Sequence, residues 1–264
     1  MWTYVKWECR RQFRLVRFWG SLFSLVLLGA LFAYGYSQMH GQAAVMDYVG
    51  RGLANGFFVP ILALIMSTSI MLPFFVTLFS ADSIAGERQL GTWATLLTHG
   101  VNPWSAFWAK WLVGLGYGIL ATVVLSGSSL MAGFLLFGLH GSALPSGINA
   151  APGDFWRILM MMMGYAVAGL AVVSTFALIV SAFSRHAVSA IMVTMGSLIV
   201  LAMLGDLPFL TRVRDLFFTS YFSRISDVLS YPPNGAALWH GLVVYALYMV
   251  FFGALVLWFQ PFRD

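Results

Sequence analysis

Residues 80–111 read SADSIAGERQLGTWATLLTHGVNPWSAFWAKW. Polar and small residues gather here, between a long apolar run ending near Phe79 and another beginning near Pro103. Leu90, Trp93, Ala94 and Leu97 share one helical face, which predicts a short amphipathic helix over about 87–98. His99-Gly100 suits its end. Asn102 followed by Pro103 suits the cap and first position of a new helix. The pattern is helix, tight break, helix: an elbow lying at the surface between two apolar segments. Amphipathicity alone fits the end of a plain hairpin equally well.

Outward from the elbow the chain is overwhelmingly apolar. Of its 264 residues 60% are hydrophobic and 9% charged, where a soluble domain carries about 25% charged residues. Mean hydropathy is +0.85. So few charges cannot cover that much apolar surface in water, and too little of the chain is polar for disorder. An all-α integral membrane protein remains. A crossing needs about 20 apolar residues, and six runs supply them, at about 18–39, 53–79, 103–139, 155–183, 187–205 and 236–260. Pro60 and Pro73 break the second run. The third is too long for one plain crossing, so its start is expected at the interface. The whole of 1–264 reads as a single transmembrane domain with no room for a large soluble catalytic or ATP-binding domain.

The formal net charge of +5 does not point to nucleic acid, because five of the 14 basic residues lie in the first 17 positions beside an apolar run. Trp2, Val5, Cys9, Phe13 and Val16 recur at helical spacing, with Lys6, Arg10, Arg14 and Arg17 in a parallel stripe. That is the pattern of a helix in the headgroup region, and also of an ordinary positive-inside flank. With the N-terminus inside, nine Lys and Arg fall on inner flanks and five on outer ones. This orientation puts both termini in the cytoplasm. On the outer side, 140–153 is rich in turn residues, and Asp154 suits the cap of the fourth span. Residues 206–235 hold an amphipathic stretch in which Leu210, Val213, Leu216 and Phe217 alternate with Arg212, Arg214 and Asp215. It reads as short helices dipping into the outer leaflet before the last span.

Several chemistries lack their residues. No phosphate loop of the G-x-x-x-x-G-K-[ST] kind is present, so ATP has to be used by another polypeptide. No charged residue lies mid-span, which argues against an ion-driven secondary transporter. Ser126, Ser128 and Ser129 lie within the third span, and His140, His186 and His240 lie at the wrong depths to serve them as a base. No catalytic residue is assigned. Cys9 is the sole cysteine, which leaves no internal disulfide. Thioethers suit Cu(I), but Met160 to Met163 point to all sides of a helix, and Met39, His40 and Met46 are an ordinary cluster near a span end. No metal ligand is assigned.

Asp82, Ile84, Gly86, Glu87, Gly91, Thr92, Leu96 and Leu97 spell D-x-I-x-G-E-x-x-x-G-T-x-x-x-L-L, with Pro103 and Lys110 beyond. In this the chain resembles the membrane subunit of ABC-2-type transporters, the permeases of many bacterial exporters. Among them it is similar to the branch that includes the nitrous oxide reductase copper-maturation permease. At Val101-Asn102-Pro103-Trp104 it lacks the basic residue many members carry after the proline. The resemblance implies a type V exporter-like fold: six spans, an N-terminal interfacial helix over 1–17 and a cytoplasmic coupling helix within 80–103.

It implies that Asp82, Gly86, Glu87, Arg88, Gln89, Gly91 and Thr92 form the coupling site, with Glu87, Arg88 and Gln89 touching the ATPase. Gly91 would permit close packing there, and Leu90, Trp93 and Leu97 would anchor the helix to its own bundle. Read from the residues alone, Glu87 and Arg88 are equally a solvated surface pair. The implied partners are two copies of an ABC ATPase subunit, which hold ATP and Mg, and a second permease chain, identical or related. Membrane lipid surrounds them, and the place is the bacterial inner membrane. The second and fifth spans would line the path, making Phe57, Phe58, Met66, Phe74, Met192 and Met195 candidates, with packing or lipid contact as their plainer role. Without mid-span charge, a lipid-like or amphipathic cargo is preferred. The alternatives are a permease that transmits force to an extracytoplasmic partner, and a secondary transporter.

Overall fold

The computed structural model describes residues 2–39, 55–93, 102–139, 142–143, 149–150, 152–207, 214–229 and 235–259. It is a helical bundle. In chain order the helices are α1 (Trp2–Phe13), α2 (Val16–Met39), α3 (Phe58–Ser69), α4 (Met71–Gln89), α5 (Pro103–Phe137), α6 (Pro152–Phe183), α7 (Ala187–Asp206) and α8 (Gly235–Phe259). Two 3₁₀ segments, Arg214–Leu216 and Phe218–Leu229, lie between α7 and α8. The only sheet among the described residues is a two-residue antiparallel bridge, Ser142 opposite Ala150 and Ala143 opposite Asn149.

Among the described residues five helices are long and apolar enough to cross a membrane, and a sixth crossing results if α3 and α4 are one bent span. The bend of 54° falls at Ile70. Pro73 explains it. Its ring has no N–H to give the carbonyl of Ser69, four residues back, and crowds that carbonyl as well. Pro60 sits in the first turn of α3, where a missing N–H costs nothing, and does not break the helix. α5 runs unbroken for 35 residues, about 52 Å at 1.5 Å per residue, which exceeds a ~30 Å core. The Asn102 side chain accepts from Trp104 N at 3.0 Å with Pro103 at the first position. Asp154 is not a cap: α6 starts at Pro152 and Asp154 falls in its first turn.

α6 is the central post. Of its apolar window 72% is buried, against 17% for α7 and for α8, so those two keep broad faces for lipid or partners. α4 packs on α6 and α7, α2 on α5, and α8 on α6 and the longer 3₁₀ segment. Small and hydroxyl residues bring the axes close. Ser80 and Ser174 hydroxyls are 2.9 Å apart, and a Cβ on Gly114 of α5 would stand 2.6 Å from Ser174 Oγ. Ser128 lies tightly against Gly29 of α2, so this serine stretch serves helix contact.

The stretch before the last span is helical but not α-helical. Thr219, Phe222, Ile225 and Val228 are buried at a spacing of three, as are Phe218 and Tyr221. That is the period of a 3₁₀ helix, in which residues i and i+3 eclipse. The row packs into the bundle. Phe218 meets Tyr248 at 5.2 Å between centroids, Phe222 meets Tyr245 at 6.2 Å, and Tyr165 OH donates to Tyr221 O. Leu216, expected on the apolar face, is exposed. Leu210, Arg212 and Val213 lie outside the described residues, as do residues 144–148 of the turn-rich connection.

Candidate functional site

The C-terminal end of α4 carries the motif residues, and the fold ties them to four other elements. α1 packs against α5 with its polar side. Glu8 and Gln12 are sealed from solvent, whereas Trp2, Phe13 and the basic residues Lys6, Arg10 and Arg14 are exposed. The helix ends at Phe13, so Val16 and Arg17 already belong to the next helix or its lead-in turn. The expected apolar stripe is present, but it is not the face that holds α1 to the bundle.

Glu8 faces Lys110, which is 1% exposed. The Lys110 ammonium donates to Glu87 Oε1 at 2.7 Å, to the Ser83 carbonyl at 3.0 Å and to Glu8 Oε1 at 3.3 Å. Its three N–H groups are thereby all used. Arg11 pairs with Glu87 and stands 3.5 Å from Glu8, and Gln12 donates to Glu8 at 3.1 Å. Two carboxylates and two cations make the cluster formally neutral, the condition under which charge survives burial. Glu8 Oε2 and Glu87 Oε2 have no hydrogen-bond donor among the described residues. The Tyr4 phenol beside them is pushed above its ordinary range, first by burial and then by the charges of Glu87 and Glu8.

The remaining motif residues complete the clamp. Asp82 pairs with Arg17 at the start of α2. Gly86 is required by that pair, since a Cβ there would stand 2.7 Å from Asp82 Oδ1. Arg88 donates to the Ala182 carbonyl in the last turn of α6, where a helix C-terminus favours a cation. Gln89 Oε1 accepts from Ala187 N at 3.2 Å, capping the first turn of α7. Ser181 Oγ accepts from Ile84 N at 3.1 Å and Ala85 N at 2.8 Å, binding α6 to the flank of α4. Thr92 donates to the Glu87 carbonyl at 3.2 Å.

This geometry corrects several expectations. Glu87 is neither a solvated surface residue nor available to a partner as the chain stands; it is 1% exposed and consumed by Lys110 and Arg11. The helix expected over about 87–98 does not begin at 87, because α4 continues to Gln89; Thr92 and Trp93 are helical again, and residues 94–100 lie outside the described residues. Gly91 has φ +72° and open space where a Cβ would go, so its role is conformational rather than close packing. With Leu90 N bonded to the Gly86 carbonyl and Gly91 N to the Arg88 carbonyl, it ends α4 as a left-handed C-terminal glycine does. Leu90 is 74% exposed and is not buried against the bundle of described residues, whereas Trp93 is buried as expected. Leu96, Leu97, His99 and Gly100 lie outside the described residues. The accessible tip is therefore Gln89–Thr92.

Of the path candidates, Phe57 is 2% exposed and stacks on Phe155 at 5.3 Å, with Phe58 edge-on to the same ring at 5.6 Å. Phe57 is thus a packing residue of this bundle. Met66, Phe74 and Met192 are exposed on the α3–α4 and α7 surfaces. Met195 lines a cavity of about 200 Å³ with Ile70, Pro73, Leu198 and Phe222. Met160–Met163 do point to different sides: Met162 is buried, Met160 and Met161 are exposed. Among the described residues no three His, Cys, Asp or Glu side chains gather as a metal site; His40 and Met46 lie outside those residues.

Among the described residues, five or six helical segments long and apolar enough to cross a membrane, one of them bent and tied by buried charge at its end, describe a multi-pass membrane protein. The family described as ABC-2 family transporter protein matches residues 2–259. The chain belongs to that family, and is a transmembrane permease of the ABC transporter class. No curated protein sequence matches the chain.

Proposed function

We propose that the chain is the permease of an ABC exporter. Two permease chains, identical or sibling, work with two ATPase subunits that hold ATP and Mg. The observation that carries this reading is the construction of the α4 end. Its tip, Gln89–Thr92, faces outward, and the turns behind it are bonded to α1, α2, α5 and the α6–α7 corner. A displacement of the tip cannot be absorbed locally, because buried ion pairs and caps on four sides must move with it. Closure of the ATPase pair on ATP then biases one packing of the spans over another.

In this reading the path runs between the two permeases. Met66, Phe74 and Met192 belong to the apolar surface available for it, with Met195 behind. A lipid-like or amphipathic cargo suits that surface. The site is the bacterial cytoplasmic membrane, with both termini in the cytoplasm.

Purification from the native host in mild detergent, followed by mass spectrometry, tests the proposal. The expected companion is a protein of ATPase-domain size with a phosphate-loop motif. Purification of the chain alone, together with transport in vesicles that does not need ATP, would overturn it in favour of a carrier.

A further inference from the structure

Between α1 and α5 lies a groove of about 400 Å³ lined by Val5, Cys9 and Phe13 of α1, Phe18 of α2, and Gly116 and Val123 among others on α5. Its walls are almost entirely apolar. Ile119 and Val123 stay substantially exposed at its far end, so the groove opens on the lipid-facing side of the bundle. Along α5 it runs from Leu112 to Val123, a rise of about 16 Å. One leaflet of a ~30 Å hydrocarbon core is about 15 Å deep. The groove thus has the depth of one acyl chain's leaflet.

Its mouth is basic. Lys6 and Arg10 each follow a groove-lining residue, Val5 and Cys9, by one position, which is about 100° around the helix. They are four residues apart, one turn above the other on a common face. Both are exposed, and neither they nor Arg14 pairs with an acid among the described residues. Glu8, the one acid of α1, is turned into the bundle and used by Lys110. An apolar slot of leaflet depth beneath two unneutralised cations matches a lipid with one or more chains and a negative headgroup.

We propose that this groove is a binding site for an anionic phospholipid of the leaflet that holds α1. One acyl chain lies along α5 from Leu112 to Val123, and the headgroup phosphate rests on Lys6 and Arg10. The bound lipid is a wedge between α1 and α5, next to the charge cluster that joins the same two helices. Gly116 gives the site its width. It lines the groove, and a Cβ built on it meets nothing within 4 Å, so a larger side chain there occupies the chain's space without striking protein.

Native mass spectrometry of the full chain, released from nanodiscs and titrated with phosphatidylglycerol or phosphatidylcholine of identical acyl chains, tests this. Phosphatidylglycerol adducts are expected to persist at about tenfold lower lipid concentration. The double variant Lys6→Gln/Arg10→Gln brings the two lipids to parity. Gly116→Leu loses the persistent adduct of both lipids, and Gly116→Ala, a control for the helix substitution, keeps it. Equal retention of both lipids by the unaltered chain would overturn the proposal, as would an undiminished phosphatidylglycerol preference in the double variant. Full occupancy in Gly116→Leu would place the lipid elsewhere. Adducts absent whenever a second copy or the ATPase is bound would assign the groove to a protein contact and equally overturn it.

Discussion

Lys110 Nζ stands 2.7 Å from Glu87 Oε1, with both side chains sealed from solvent. The chain contains two glutamates, Glu8 and Glu87, and both converge on this one lysine. The pairing joins α1, the end of α4 and the start of α5 at a single atom.

Lys110→Met leaves two carboxylates buried with only Arg11 to neutralise them. Removal of one partner from a buried ionic set costs about 3–5 kcal/mol. A large fall in the detergent melting temperature is expected, with a substantial part recovered when Glu8→Gln and Glu87→Gln are added. A melting temperature unmoved by Lys110→Met would show that the set contributes nothing.

Leu90→Asp separates the tip from the clamp. Leu90 projects from the bundle, so its replacement is expected to change stability by less than about 0.5 kcal/mol while sharply reducing co-purification of an ATPase subunit. Undiminished complex yield would remove the tip from the coupling surface.

Gly91→Ala forces a Cβ into the left-handed region, at a cost of about 1 kcal/mol, with Gly91→Asn costing less. Because the surrounding space is open, the order Gly, Asn, Ala in thermal stability is the expected result. An alanine variant as stable as the parent would contradict a conformational role.

Burial, followed by the charge of Glu8, pushes the Cys9 thiol above its ordinary value. Only the thiolate reacts readily. At neutral pH maleimide labelling of Cys9 is therefore expected to be slower than that of an exposed cysteine, and its rate to rise at a higher pH than theirs. Glu8→Gln shifts the profile back towards lower pH, but only in part, because burial remains the larger cause. A profile matching free cysteine would refute the placement.

Phe57→Ala removes a ring stacked within the bundle and is expected to cost about 3 kcal/mol, whereas Met192→Ala, at a site 70% exposed, is expected to leave the melting temperature nearly unchanged. If Met192 faces a transport path, its variant alters transport without altering stability.

Local chemistry explains what was readable beforehand. The six apolar runs, the Asn102–Pro103 start of α5 and the break near Pro73 depend on neighbouring residues, so sequence periodicity and backbone rules reach them. The motif residues are expected in the connection after Phe79, whereas Asp82 to Gln89 are still part of the α4 helix, and their surroundings are not legible locally. Glu8 and Lys110 are 102 positions apart, and no local pattern joins them. A signal did exist: Tyr4, Glu8, Arg11 and Gln12 lie on the flank of the apolar stripe of α1 away from Lys6, Arg10 and Arg14, at 100° per residue, and include the helix's one acid. The 3₁₀ segment was similarly legible in the strict spacing of Thr219, Phe222, Ile225 and Val228, whereas the alternation upstream of it predicts only short helices of no particular period. Leu90 was misjudged because hydrophobicity does not say whose surface a side chain serves.

Glu8 emerges from the ribosome long before Lys110. Until the third crossing has been inserted, burying that carboxylate against the bundle would leave it without its cation, so the first helix has to wait on the aqueous side of the bilayer. Its docking therefore comes late in biogenesis. A chain truncated before Lys110 should leave the N-terminal segment open to added protease even though earlier crossings are in place. The same ion pair that closes the finished structure thus serves as a record that half of it has already been threaded.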